Sequence, residues 1–257
     1  MKADHAVQDA INHAAALIRS AQRGMALTGA GISTPSGIPD FRSPNSGLWN
    51  IVDPFEVASM LSFRRAPERF YEWIRPLATL ILEAAPNPAH LALTSLQKSG
   101  FLTTIITQNI DGLHQKAGSS NVYEIHGSVN QLTCVSCYLK VETSEIIDQF
   151  LIEGQPPRCS KCGSILKLDV ILIDEQLPMN IWHEAEQASQ ACDLMLVVGS
   201  SLEILPVSRL PLYALERGAP LIVVNLTETY IDIRADVVIP GDAAEILPRI
   251  AQAVERA

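Results

Sequence analysis

The sequence predicts an α/β protein, a doubly wound parallel sheet with a smaller module inserted. Three observations lead there. Short, near-continuous apolar runs, several rich in β-branched residues, occupy residues 25–28, 102–107, 122–125, 194–198, 221–224 and 237–239; strands buried on both faces of a helix-covered parallel sheet read this way. Stretches with helical periodicity alternate with the runs. Each chemically distinctive string directly follows a run, and doubly wound sheets bind ligands where strand C-termini meet loops.

A chain of 257 residues is one large or two small domains, with ample length for a sizeable core. At 47% hydrophobic and 18% charged it is globular rather than disordered. No apolar run approaches bilayer length, and the first residues lack a basic-then-apolar signal pattern. A net charge of −9 argues against a nucleic-acid surface and weakly favours basic, lysine-bearing partners.

In chain order, Ala6, Val7, Ala10, Ile11, Ala14, Leu17, Ile18 and Ala21 recur at helical spacing, so residues 4–22 are expected to form a helix on the sheet. The first strand ends in Gly29-Ala30-Gly31, where closely spaced glycines permit a tight turn and close approach to a pyrophosphate. Thr34 stands where the dinucleotide fingerprint has its third glycine, and an ordinary tight turn fits the string too. Pro35, Gly37 and Pro39 then forbid a regular helix, leaving an ordered loop that ends in Asp40-Phe41-Arg42. Residues 49–83 are helical in pattern; the aromatic positions Phe55, Phe63, Phe70, Tyr71 and Trp73 there default to core packing. Asn87-Pro88 reads as an N-cap and first helical position, opening a helix that ends near Gly100.

Gln108, Asn109 and Asp111 follow the second strand. Two amides and a carboxylate can read a ribose or a carboxamide, and equally can form a polar loop with Asp111 capping the next helix. His126-Gly127-Ser128 follows the third. A lone histidine is more often structural than catalytic, but this one sits at a strand end beside glycine; His5, His13, His90, His114 and His183 lack that context. Gly199-Ser200-Ser201 ends the fourth strand, a glycine and hydroxyl pair suited to phosphate or ribose oxygens, and Asn225 ends the fifth. Cys134-x-x-Cys137 and Cys159-x-x-Cys162, 21 residues apart, read as four thiolates closing a tetrahedral structural zinc site, ahead of redox pairs or an iron–sulfur cluster. With no secretory pattern, a metal site outranks disulfides and a cytoplasmic address is expected. Cys192 reads as a small buried residue.

The string LTGAGISTPSGIPDFR at 27–42 resembles the cofactor loop of the sirtuins, NAD-dependent protein deacylases, of the bacterial and archaeal type. TQNIDGLH at 107–114, His126-Gly127, LVVGSS at 196–201, VVNLT at 223–227 and Gly241-Asp242-Ala243 match further motifs of that family, so the resemblance covers nearly the whole chain. It implies one domain over 1–257. A large Rossmann-like part would take 1–48, 84–130 and 168–257, and a small part the helical module 49–83 and zinc ribbon 131–167. The resemblance assigns NAD, as co-substrate, to Gly29, Ala30, Gly31, Ile32, Thr34, Asp40, Phe41, Arg42, Gln108, Asn109, Ile110 and Asp111. It adds Gly199, Ser200, Ser201, Asn225, Leu226, Thr227, Asp242 and Ala243. Ile32, Asn109, Ile110 and Asp111 would take the nicotinamide; Asn109 and His126 would be catalytic, His126 as general base. NAD would be cleaved to nicotinamide, and the acyl group of a modified lysine passed to ADP-ribose as O-acyl-ADP-ribose.

By the same resemblance, the substrate peptide docks as a strand beside Val170, Ile171, Ile173 and Asp174. Here the sequence departs from the family's V-V-x-F-G-E, with Ile173 for the aromatic and Asp174 for the glycine. The Tyr-x-x-Arg pair of sirtuins that favour acidic acyl groups is also imperfect, since Ile74 stands three residues after Tyr71 and Arg75 follows it. Acetyl-lysine is therefore the first choice. The expected partners are acylated lysine side chains, with no direct nucleic acid and no membrane, in a monomer or weak oligomer. A mono-ADP-ribosyltransferase, a non-catalytic NAD-sensing zinc module and, as outsider, a dehydrogenase are the alternatives.

Overall fold

The computed structural model describes residues 2–41 and 47–256. Helix α1 (Lys2–Ser20) buries the stripe Ile11, Ala14, Ala15 and Ile18, and β1 (Gly24–Thr28) is buried along its whole length. Two 3-10 turns, at 30–32 and 34–36, carry the proline-broken loop, with Pro35 opening the second and Gly37 ending it at φ +86°. The helical pattern of 49–83 resolves into a 3-10 turn at 48–50 and three helices, α2 (Pro54–Val57), α3 (Met60–Arg65) and α4 (Pro67–Glu83). Proline opens α2 and α4, while Asp53 and Ser59 cap α2 and α3 through Phe55 N–H and Ser62 N–H. These starts break a periodicity that by itself reads as continuous. Helix α5 (Pro88–Lys98) begins at the expected Asn87 cap and leads to β2 (Leu102–Thr107), α6 (Leu113–Lys116) and β3 (Val122–Glu124).

An antiparallel excursion follows: β4 (Gly127–Cys134), β5 (Lys140–Glu142), α7 (Ile147–Glu153) and β6 (Leu166–Val170), its strands ordered β5-β4-β6. The chain then returns through α8 (Met179–Ala191), β7 (Leu194–Val198), α9 (Leu210–Glu216), β8 (Leu221–Asn225), β9 (Val237–Pro240) and α10 (Ala243–Glu255).

The large sheet runs β3-β2-β1-β7-β8-β9, every pairing parallel. Strand alternation sends Ala26, Ile105, Leu196 and Ile222 into a core with α1, α5 and α10, and Leu27, Ile106, Val197 and Val223 into a second with α8 and α9. A third core joins Phe63, Phe70, Tyr71, Ile74 and Phe150 to Leu132, Leu166 and Leu168 of the small sheet. Most of the aromatic stripe is thus core, as its default reading expects; Phe55, 61% exposed, is the exception. The chain leaves β1 towards β2 and β3 and returns to β7 on the other side. Between β1 and β7 the strand order reverses, and their C-terminal ends open the crevice of such a fold.

Candidate active site

The glycines that end β1 and β7 close on one another. Gly29 N–H donates to Val198 O at 3.0 Å and Gly31 N–H to Gly199 O at 2.9 Å. A Cβ on Gly29 would stand 2.7 Å from Gly199 O, one on Gly31 2.9 Å from Gly199 Cα, and one on Gly199 (φ +59°) would overlap Ile32 N. The room that a side chain would take is filled by the chain's own backbone, so these glycines bring two strand-end loops into contact at the switch point.

Beneath that contact lies a buried polar set. Ser33 Oγ, on a residue 1% exposed, donates to Asp111 Oδ2 at 2.7 Å and accepts from Asn109 Nδ2 at 2.9 Å. Asn109 Nδ2 also donates to Gly29 O at 3.2 Å, so both its amide protons face inward and Oδ1 is left as the acceptor. Asp111 Oδ1 accepts from Leu113 N–H at 2.9 Å, so the residue bonds the first turn of α6, in line with its capping reading, and also joins the polar set. Asn87, beyond capping α5, donates through Nδ2 to Ile32 O at 2.7 Å and Ser36 Oγ at 3.0 Å, clamping the loop from behind.

Two buried histidines back this set. His90 Nδ1 accepts from Asn87 N–H at 3.4 Å, which puts its proton on Nε2, 3.5 Å from Ser33 Oγ. His114 Nε2 meets Thr28 Oγ1 at 2.9 Å, and the two imidazoles pack edge to face at 5.0 Å. Burial pushes His90 down to about 4, although Asp111 pulls the other way. It pushes His114 down to about 3, with His90 adding to the effect. Both rings are neutral at neutral pH.

His126 sits where the large sheet hands over to the small one. Ile125 N–H donates to Thr107 O at 3.1 Å and His126 O accepts from Ile171 N–H at 2.8 Å. Its Nδ1 lies 3.0 Å from Gln108 O, which can only accept; Nδ1 therefore bears a proton, and the tautomer this fixes has Nε2 as its acceptor nitrogen. Gln108 spends its side-chain amide on Ser200 Oγ at 2.7 Å, linking the ends of β2 and β7.

A small pocket opens beside the polar set, with Ile38, Phe41, Leu77 and Ile110 as apolar wall and Asn109 and Asp111 at its polar end. Phe41 leans on Trp49 (5.1 Å), which stacks on Trp73 (5.4 Å). Asp40 lies beside Phe41, its carbonyl accepting from Leu48 N–H at 3.0 Å; Arg42 lies outside the described residues. Thr34 turns its hydroxyl onto Gly31 O at 3.2 Å. Further along the sheet, Asn225 Nδ2 donates to Thr227 O at 2.9 Å and Asp242 Oδ1 accepts from Ala244 N–H at 2.7 Å, so both shape their own turns; Ser201, Leu226 and Thr227 are exposed and Ala243 is buried. Sequence reasoning passed over Ser33 and Asn87 as site residues. A serine inside a proline-broken loop and an asparagine at a cap carry no separate signal.

Val170 pairs with Gly127, and Ile173 is fixed on Ser59 through Ile173 N–H to Ala58 O (2.8 Å) and Met60 N–H to Ile173 O (3.0 Å). Asp174 lies at φ +64°, the conformation that suits glycine, and aspartate is among the few other residues that enter it. Tyr71 donates its hydroxyl to Leu166 O and Arg75 its guanidinium to Leu151 O, so both are spent tying α4 to the small sheet and α7.

The four cysteines converge. Their sulfurs lie within 4.8 Å of one another, with Cys134–Cys162 at 3.5 Å and Cys137–Cys159 at 3.6 Å. Tetrahedral zinc with sulfur at 2.3 Å needs edges of about 3.8 Å. The set fits zinc and fills all four positions. Cys192 is buried and outside it.

A family model described as Sir2 family matches residues 29–206. The NAD-dependent protein deacylase 2 of Archaeoglobus fulgidus is 43% identical over 251 residues, 97% of this chain and 98% of its own. Among solved structures, Sir2Af2 bound to a myristoylated histone peptide is 39% identical with a TM-score of 0.82, covering 96% of this chain and 97% of its own. A Sir2 variant with deacetylated p53 peptide and 3′-O-acetyl ADP ribose is 37% identical with a TM-score of 0.87, covering 93% and 96%.

Proposed function

The chain belongs to the Sir2 family, and on that premise we propose that it is an NAD-dependent protein-lysine deacylase, releasing nicotinamide and passing the acyl group to ADP-ribose. One observation carries the reading: Asn109, Ser33 and Asp111 form a buried hydrogen-bonded set under the β1 loop, and His126 stands on the same strand ends. The crevice suits a dinucleotide, because it lies where strand order reverses and joins an apolar wall to inward polar groups.

Bound NAD supplies a ribose carbon that can lose nicotinamide. Asn109 Oδ1, left as the free acceptor of its amide, would take the carboxamide, and Ile32, Ile110 and Asp111 would border the ring. The loops bearing Gly29, Ala30, Gly31, Gly199, Ser200 and Ser201 hold the phosphates and ribose, with Asn225, Leu226, Thr227, Asp242 and Ala243 towards the adenine. His126 Nε2 takes a proton from a ribose hydroxyl while Gln108 O steadies Nδ1–H as the ring becomes positive; such help is worth roughly 10²–10⁴ in rate. The apolar wall of Ile38, Phe41 and Leu77 keeps competing water away from the reacting carbon.

The acylated lysine arrives on a peptide strand beside residues 170–174, held by main-chain pairing. Acetyl-lysine is the first choice: Tyr71 and Arg75 serve the small module's packing and so are not offered as a pair to an acidic acyl group. The four cysteines hold one structural zinc. Among the described residues no helix is long and apolar enough to cross a membrane; thiolates of this kind suit a reducing compartment, and the cytoplasm is the assigned address. A monomer or weak oligomer is the assigned state.

The test is incubation with NAD and a panel of acyl-lysine peptides, read by mass. Free lysine peptide, nicotinamide and O-acyl-ADP-ribose are expected. ADP-ribose attached to protein with every acyl group retained would select the transferase instead.

A further inference from the structure

Among the described residues nothing uses the carboxylate of Asp174. Glu175 N–H donates to Leu172 O at 3.0 Å, closing a turn whose third residue is Asp174, at φ +64°. Most side chains avoid that conformation. Both main-chain groups of Ile173 are held, by Ala58 O and Met60 N–H, so the turn is anchored and Asp174 is exposed. The neighbouring Glu175 spends its carboxylate within the protein: its Oε2 accepts from Leu172 N–H at 2.9 Å and pairs with Lys167 Nζ at 3.0 Å. Lys167 also donates to Leu168 O and Val170 O, so that cation is committed. Among the described residues Asp174 has neither hydrogen bond nor ion pair.

We infer that Asp174 selects the substrate class of the docking strand, favouring acyl-lysine peptides with a cationic residue beside the modified lysine. The inference rests on the deacylase reading and on docking beside residues 170–174. Acylation removes the charge of the target lysine, so a carboxylate at this rim has nothing to attract in that residue itself. It acts on the neighbours. Main-chain pairing is indifferent to sequence, and selection therefore enters through side chains along the docking edge. A solvent-facing charge acts through the field, modestly and with a strong salt dependence.

Two fluorescent acetyl-lysine peptides of equal length test this, one with arginine on both sides of the acetyl-lysine and one with glutamine. Binding to the full chain is read by anisotropy at low and at physiological salt, for the parent and for Asp174→Asn, which keeps the shape and tolerates the same φ. The parent is expected to prefer the arginine peptide by about two- to fivefold at low salt, a margin in keeping with exposed ion pairs. The preference should shrink with salt and disappear in Asp174→Asn. Equal binding by the parent, a preference that survives in Asp174→Asn, or no binding of either peptide overturns the inference. Turnover with NAD is followed in parallel: charge-selective binding without deacetylation sinks the deacylase reading and leaves the selectivity intact.

Discussion

Replacing Ser33 by alanine removes one oxygen from the centre of the buried set and nothing else. That oxygen donates to Asp111 Oδ2 at 2.7 Å and accepts from Asn109 Nδ2 at 2.9 Å, on a residue 1% exposed. A hydrogen bond to a charged group contributes about 1.5–3 kcal/mol and a neutral one about 1 kcal/mol, and an orphaned buried carboxylate costs still more. The variant should lose about 2–4 kcal/mol of unfolding free energy, read by urea denaturation, and remain folded. Asn109 then keeps only Gly29 O on its amide, and the Oδ1 proposed to meet the nicotinamide is held less firmly. With half or more of that energy realised at the transition state, kcat/KM for NAD falls roughly 10- to 100-fold, since each 1.4 kcal/mol is a factor of about ten. Nicotinamide release is measured at saturating peptide over a range of NAD concentrations. A kcat/KM within twofold of the parent, in a protein destabilised as expected, would refute the claim that Ser33 organises the pocket.

His126→Ala should lower deacetylation by roughly 10²–10⁴ with the unfolding midpoint nearly unchanged; near-normal turnover would remove the base assignment. The folded values of about 4 for His90 and about 3 for His114 lie below the ordinary 6.5, so the unfolded chain binds more protons between these limits. Stability is therefore full above about pH 6.5 and falls as pH drops towards 4, by up to about 1.4 kcal/mol per pH unit for each ring. Urea melts across that range check this, and His114→Gln should flatten the slope. Cys162→Ser should leave less than one zinc per chain by elemental analysis and lower the melting temperature, because Cys134 and Cys159 belong to the small module's core. Gly127→Ala should cost about 3 kcal/mol or more: φ is +77° and a Cβ would overlap Asp169 O. A denaturation midpoint equal to the parent's would contradict the geometry.

The large sheet was legible because a strand buried on both faces leaves a run of apolar residues that nothing else requires. Residues 102–107 and 194–198 coincide with β2 and β7 at both ends. β4 left no such trace: GSVNQLTC is only partly buried along most of its length and its pattern is mixed. The breaks within 49–83 were written in Pro54 and Pro67, but a sustained helical period conceals them. At the site, Asn109 and Asp111 announced themselves as polar groups after a strand. Ser33 did not, because its importance comes from two partners about 76 and 78 residues away. Gln108 illustrates the same limit: its amide was legible as a polar group, its hold on Ser200 across the switch point was not.

The position of His126 follows from how two sheets share one chain. Ile125 is the last residue bonded to the large sheet, through Thr107, and Gly127 is the first of β4, paired with Val170 of β6. The imidazole stands between them, its Nδ1 on Gln108 O and its own carbonyl on Ile171 N–H, so one residue is fixed by both sheets at once. The glycine after it is a steric requirement of the crossing, since any Cβ there meets the Asp169 carbonyl. Ile171, in turn, begins the segment that anchors Ile173 on Ala58 and Met60 of the helical module. The proposed base and the proposed peptide edge are thereby joined within a few hydrogen bonds. The imidazole is thus held by main-chain bonds on the small-sheet side as well as on the large, and Cys134 at the far end of β4 puts the thiolate cluster on the same strand that begins beside it.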